Sequence, residues 1–153
     1  MTITLSTPTL SRAERVAEAE RVLSLFHKRG DVIELRIVLP QPAAGYFIDP
    51  HTAARAAISY DDQRAPSAVY FVMNTLAPEL YERSPDKITL GLKPVASDKD
   101  VVRRLRLLLD FDVKRETKTS ATEEELEESR LVMEQTCREL TERFGWPNPF
   151  ATM

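Results

Sequence analysis

The chain has 153 residues, about one ordinary domain, and its 42% hydrophobic and 29% charged residues are usual for a globular fold rather than a disordered or membrane one. A formal charge of −3 excludes a histone-like protein that grips phosphate through bulk charge. The single cysteine, Cys137, excludes an internal disulfide framework and a zinc ribbon built on paired cysteines.

The first predicted element is a helix over Ser11–Arg29. Ser11 and Glu14 have capping-box spacing, Val16, Ala19, Leu23 and Phe26 form an apolar stripe, and Gly30 stands where a left-handed C-cap is wanted. His27 falls in the last turn of that helix, at the favourable end of its dipole. Val32–Leu39 reads as a strand with Ile33, Leu35, Ile37 and Leu39 on one face and Glu34 and Arg36 on the other; Pro40 and Pro42 end it. A second helix starts at Asp49-Pro50, an N-cap with proline in the first helical position, places His51 in its first turn, and runs to Tyr60 before the polar break Asp61–Arg64.

Ala68–Asn74 is apolar on both faces up to Asn74, as an interior strand would be, and a short helical turn is expected near Pro78–Arg83. Ser84–Lys99 reads as a loop with room for one short strand. Leu105–Val113 is the next regular element, a strand. Thr122–Phe144 is the longest helix, with a Thr122/Glu125 capping box, an acidic first turn and a buried stripe of Leu126, Met133, Cys137, Leu140 and Phe144; Gly145 and Pro147 stop it. This order of elements indicates a layered α/β or α+β domain.

No segment has the roughly 18 consecutive apolar residues that a membrane span needs. The segment Met1–Pro8 lacks the basic start and apolar run of a secretory signal, so cytoplasm is the expected address and no membrane partner is expected. Four glycines, at 30, 45, 91 and 145, cannot build a glycine-rich phosphate loop.

The chemistry concentrates in Leu105–Val113, LRLLLDFDV. As a strand, it puts Asp110 and Asp112 on one face with Cβ atoms roughly 6.5–7 Å apart, from twice the per-residue rise. That separation suits joint coordination of one divalent cation or of two neighbouring ones, whereas two carboxylates so close on a buried strand otherwise repel. Arg103, Arg104 and Arg106 precede the pair; Lys114, Arg115 and Lys118 follow it. Aspartate-held metal among arginine and lysine is the chemistry of phosphate-bearing substrates. The plainer reading is two surface acids answering nearby cations. An EF-hand is excluded by Lys114 and Arg115, which fill loop positions five and six. A haloacid-dehalogenase-like phosphatase fits Asp110-Phe-Asp-Val113 but normally starts with this strand and needs later motifs; a glycosyltransferase D-x-D stays open, though without a preceding sugar-nucleotide fold, and so does a polymerase-type metal site.

The series Tyr70–Asn74 (YFVMN), Leu107–Arg115 (LLLDFDVKR), Ser120–Leu126 (SATEEEL) and Gly145–Pro149 (GWPNP) resembles the amino-terminal half of the archaeo-eukaryotic primase superfamily, in its primase-polymerase branch from phages, plasmids and prophages. The resemblance covers Val32–Met153. It implies an α+β fold: an amino-terminal αβ module leading into an incomplete catalytic sheet similar to an RNA-recognition motif, with residues 1–30 a leading helix and 31–153 the core. It implies that Asp110 and Asp112 are the catalytic acids and hold Mg²⁺ or Mn²⁺ for nucleotidyl transfer, with Arg106, Lys114 and Arg115 toward nucleotide or DNA. The implied partners are a DNA template and primer, nucleoside triphosphates and a helicase domain or protein. The family's following serine-x-histidine strand and third metal-binding acid find no counterpart before Met153, so the resemblance implies a piece holding half a metal site that polymerises nothing alone. The alternative is a noncatalytic module that uses the same basic cleft to bind nucleic acid or a protein.

Asn74 is expected to cap the turn that follows it. Tyr70, Phe71, Trp146 and Phe150 read as core aromatics before base-stacking ones, and Cys137 as an inert buried thiol.

Overall fold

The computed structural model describes residues 10–38, 41–64, 68–106, 108–112 and 120–149. The chain divides into two compact units, Met1–Leu107 and Leu108–Met153. The first contains α1 (Arg12–Phe26), β1 (Ile33–Ile37), β2 (Ala43–Phe47), α2 (Pro50–Arg64), β3 (Val69–Phe71), a 3₁₀ turn (Pro78–Arg83), β4 (Thr89–Leu90) and a second 3₁₀ turn (Asp98–Asp100).

The start of α1 is the expected capping box: the Glu14 N–H donates to Ser11 Oγ at 3.3 Å, and the Ser11 N–H to Glu14 Oε2 at 2.8 Å. Its end differs from expectation. His27 is the C-cap, in extended backbone. Gly30 has φ +97° but serves the turn beyond, donating its N–H to Ile48 O at 2.7 Å. The glycine is needed for a reversal toward β1 rather than for closing the helix.

The four strands form an antiparallel sheet in the order β3-β1-β2-β4. β2 was not expected from the sequence. Ala43, Ala44 and Gly45 have little strand preference, yet all five β2 residues are buried. Packing, rather than propensity, makes this strand. Gly45 is required by close approach: a Cβ there would lie 2.0 Å from the Lys87 carbonyl oxygen. β3, expected to be interior, is an edge strand pairing with β1, and Tyr70 on it is 54% exposed. Its apolar character on both faces reflects helix packing through Phe71, whose ring lies edge-on to Phe26 at 5.2 Å.

Each face of the sheet has its own core. Leu23, Ile33, Leu35, Phe47, Ala53 and Ala54 pack between the sheet and the two helices. The alanines of α2 let it approach closely, and α2 continues through Asp61–Arg64 instead of breaking there. Arg15 accounts for that extra turn, donating to Asp62 Oδ1 at 2.6 Å and Asp61 Oδ2 at 2.5 Å. On the other face Val32, Tyr46, Leu76, Leu80 and Ala96 are buried beneath the first 3₁₀ turn and the loop ending at Ala96. Full burial of each larger apolar side chain contributes about 1.5–3 kcal/mol.

The second unit contains α3 (Glu123–Phe144). Thr122 and Glu125 form its capping box, and Gly145, at φ +67°, is a left-handed C-cap. The expected buried stripe is only half covered: Met133, Cys137 and Leu140 are half-buried, whereas Leu126 and Phe144 are 51% and 63% exposed. The molecule is thus α+β with a small, open antiparallel sheet. No helix among the described residues is long and apolar enough to cross a membrane.

Candidate functional site

In the first unit the basic residues lie on a segment that follows the second 3₁₀ turn. Residues 102–106 have no regular secondary structure, so their backbone groups need other partners. Residues 74–77 supply them. The Ala77 N–H donates to Asp100 O at 2.8 Å, and the Val102 N–H to Thr75 O at 3.1 Å. Asn74 then takes over with its side chain: Oδ1 accepts from the N–H groups of Leu105 (2.8 Å) and Arg106 (3.0 Å), and Nδ2 donates to Arg106 O at 3.3 Å. The expected role of Asn74, capping its own turn, is therefore replaced by a clamp on chain some thirty residues away.

Arg106 is exposed, but its guanidinium turns inward, donating to Leu25 O at 3.1 Å and Leu105 O at 3.4 Å. α1 has no basic residue in its last turn, and Arg106 supplies the missing cation to a late carbonyl of that helix. Arg103 and Arg104 are exposed. The Arg104 guanidinium is 3.9 Å from Asp98, whose carboxylate is itself 99% exposed, a pair that water and salt screen strongly.

Among the described residues of Leu105–Val113 the expected strand is not found. Residues 105–106 and 108–112 are irregular, and among the described residues no strand pairs with them. Extended backbone becomes a strand only when a neighbouring strand takes its N–H and C=O groups, and at Leu105 and Arg106 the Asn74 side chain takes them instead. The leucines expected to be interior lie outside: Leu108 is 70% and Leu109 43% exposed. Asp110 and Asp112, in the second unit, are both exposed, and Phe111 between them is half-buried, its carbonyl accepting from Ser129 Oγ of α3 at 2.9 Å. Lys114, Arg115 and Val113 lie outside the described residues, as does Phe150.

The donor chemistry at Asp110 and Asp112 fits Mg²⁺ or Mn²⁺. Both cations take hard carboxylate oxygens, and Mg²⁺ is habitually held by one or two carboxylates with water and substrate phosphate completing the shell. Among the described residues no group of three or more acidic, histidine or cysteine side chains stands ready to hold an ion.

Two buried polar groups in the first unit escaped sequence reasoning. Glu34 is fully buried; its carboxylate accepts from Tyr46 Oη (3.1 Å), the Ala96 N–H (3.0 Å) and Arg36 (2.6 Å), while Arg36 also donates to Ala96 O at 2.8 Å. Burial, with the Glu34 charge adding to it, pushes the Tyr46 hydroxyl up to about 12. The alternation of β1 put Glu34 and Arg36 together on one face, but Tyr46, which stands opposite Glu34 on the unexpected β2, left no signal in the sequence. His27 is 2% exposed; its Nε2–H donates to Val72 O at 2.8 Å, and Nδ1 has no partner among the described residues. Desolvation holds its pKa below the ordinary histidine value, against the Val72 hydrogen bond and the Asp31 charge. His51 pairs with Glu20 at 2.7 Å on the exposed surface. An apolar cleft of about 390 Å³ lies between α1, α2 and β3; none of the expected site residues is among its described lining.

Comparison of the chain with protein-family models, with curated proteins and with solved structures gives no match.

Proposed function

We propose that the chain is the amino-terminal portion of a primase-polymerase of a mobile element, acting in the cytoplasm in metal-dependent, template-directed nucleotidyl transfer. The reading rests on one observation: the Asp110-Phe-Asp112 pair, preceded by a run of arginines and followed by the Thr122-capped helix that closes at Gly145-Trp-Pro. Both carboxylates are exposed, within reach of an incoming ion and its phosphate ligands. The contribution of this chain's own residues would be to hold Mg²⁺ or Mn²⁺ through Asp110 and Asp112, which when bound would supply Lewis-acid activation of a primer hydroxyl and charge neutralisation of a triphosphate.

The test uses the full reading frame that contains this chain, given a primed template, nucleoside triphosphates and Mn²⁺. Extension is expected, and Asp110→Ala or Asp112→Ala should each lower it by at least a hundredfold while leaving the melting temperature within about 1 °C, since exposed substitutions change stability by under about 0.5 kcal/mol. Full extension by either variant removes the assignment. The second reading, a noncatalytic nucleic-acid-binding module, is favoured by the exposed cations of residues 99–104; binding of template without any extension by the parent protein would establish it.

A further inference from the structure

The basic run of residues 99–106 holds Lys99, Arg103, Arg104 and Arg106 against a single carboxylate, Asp100, in a chain whose overall formal charge is −3. The structure divides these cations between two tasks. Arg106 is engaged with the end of α1 through Leu25 O. Asp100 accepts from the Ser97 N–H at 2.8 Å and Ser97 Oγ at 2.7 Å, bonds that hold its carboxyl below the ordinary aspartate range, so it stays ionised but turned to its own turn. Lys99, Arg103 and Arg104 remain exposed. Arg104 meets the distant and solvated Asp98.

This strip is held in one shape without belonging to a helix or strand. Its backbone is fastened at Asp100 by Ala77, at Val102 by Thr75, and at Leu105 and Arg106 by the Asn74 amide. A flexible basic tail would need no such fastening. Pinning both ends of the Val102–Arg106 segment fixes the backbone from which the two arginines leave, and a guanidinium fork matches phosphate oxygens in a way a lysine does not.

We infer that Arg103 and Arg104, with Lys99 beside them, form a contact strip for the phosphodiester backbone of single-stranded nucleic acid, and that Asn74 is the positioning residue that holds this strip while Arg106 serves the fold. The choice of nucleic acid over other polyanions rests on the function proposed above. The contacts carry charge and shape but no base recognition, so affinity should depend on salt and little on sequence.

Fluorescence anisotropy of a labelled single-stranded DNA oligonucleotide, titrated with the whole chain over a range of salt, tests this. The double substitution Arg103→Ala/Arg104→Ala should weaken binding at least tenfold and reduce the slope of log K against log salt by about 1.4, since each phosphate neutralised on a single strand contributes ~0.7 to that slope. Arg106→Ala should lower the melting temperature and leave that slope as it was. Asn74→Ala should weaken binding about threefold and abolish hydrogen-exchange protection at the Leu105 and Arg106 amides. Asn74→Asp, which keeps the acceptor for both amides but loses the Nδ2 donor to Arg106 O, should restore most of their protection while its added negative charge keeps binding below wild type. Wild-type affinity and slope in the double variant overturn the strip, as does a slope reduced by Arg106→Ala instead, or binding of polyglutamate in preference to the oligonucleotide. Unprotected amides with unchanged affinity in Asn74→Ala overturn its positioning role. Primer extension by the parent protein is a separate readout: its absence with the double-variant effect intact defeats the polymerase reading alone.

Discussion

At the scale of single residues, the decisive groups are polar ones placed where apolar neighbours leave no water. Glu34 accepts from the Tyr46 hydroxyl and the Ala96 N–H while facing Arg36, so its carboxylate fastens the Ala96 loop onto the sheet. Removing one member of a buried pair leaves the other uncompensated. Glu34→Ala should therefore cost about 3 kcal/mol, read from the denaturation midpoint by circular dichroism; a loss under about 1 kcal/mol would show that the network adds little. His27 makes the opposite demand. Its folded-state pKa is depressed, so the unfolded chain binds a proton more readily, and stability falls as pH drops below the unfolded histidine value of about 6.5. The native protein should lose melting temperature between about pH 6.5 and 5, whereas His27→Gln, which keeps a donor for Val72 O, should be flat over that window. Carboxylates titrate mostly below it.

At the scale of elements, β2 shows how a strand arises where composition argues against one. Its glycine is required because the chain at Lys87 and Ile88 passes almost in contact with it. The Tyr46 backbone is bonded on this side as well, accepting from the Asp86 N–H at 2.8 Å and donating to Ser84 O at 3.1 Å. Gly45→Ala must push that backbone away, and overpacking of this kind costs about 1–3 kcal/mol. The expected result is a drop of that order in unfolding free energy with selective loss of hydrogen-exchange protection at Tyr46 and Asp86; an unperturbed exchange pattern would contradict it. Helix N-termini were the most legible features. Ser11 with Glu14 and Thr122 with Glu125 each satisfy two otherwise orphaned N–H groups using residues three apart, a geometry that does not depend on the rest of the fold.

At the scale of the whole molecule, the buried residues among those described all fall between Leu23 and Ala96, inside the first unit. That unit carries a core on each face of its sheet, while α3 carries no buried residue among those described. A fragment of residues 10–107 should then unfold cooperatively, with a sigmoidal transition by circular dichroism. A fragment of residues 108–153 should show partial helicity that fades gradually on heating, since a helix without packing is only marginally stable in water. A broad, non-cooperative melt of the first fragment would remove the view that its two cores suffice.

What the sequence determined by itself was local in origin. Helix N-caps, the α1 stripe, the faces of β1 and the 3₁₀ turn at Pro78–Arg83 follow from residue spacing, because each is decided by neighbours within about four positions along the chain. The tertiary structure decided the rest: that Ala43–Phe47 is a strand, that Val69–Phe71 lies at an edge, that residues 105–106 and 108–112 are irregular where alternation predicted a strand, and that Asn74 and Arg106 hold distant backbone. Alternating hydrophobicity records which side of a segment could be buried, but a strand exists only where another segment accepts its hydrogen bonds. That second condition is set by chain far away in sequence, and no local pattern contains it.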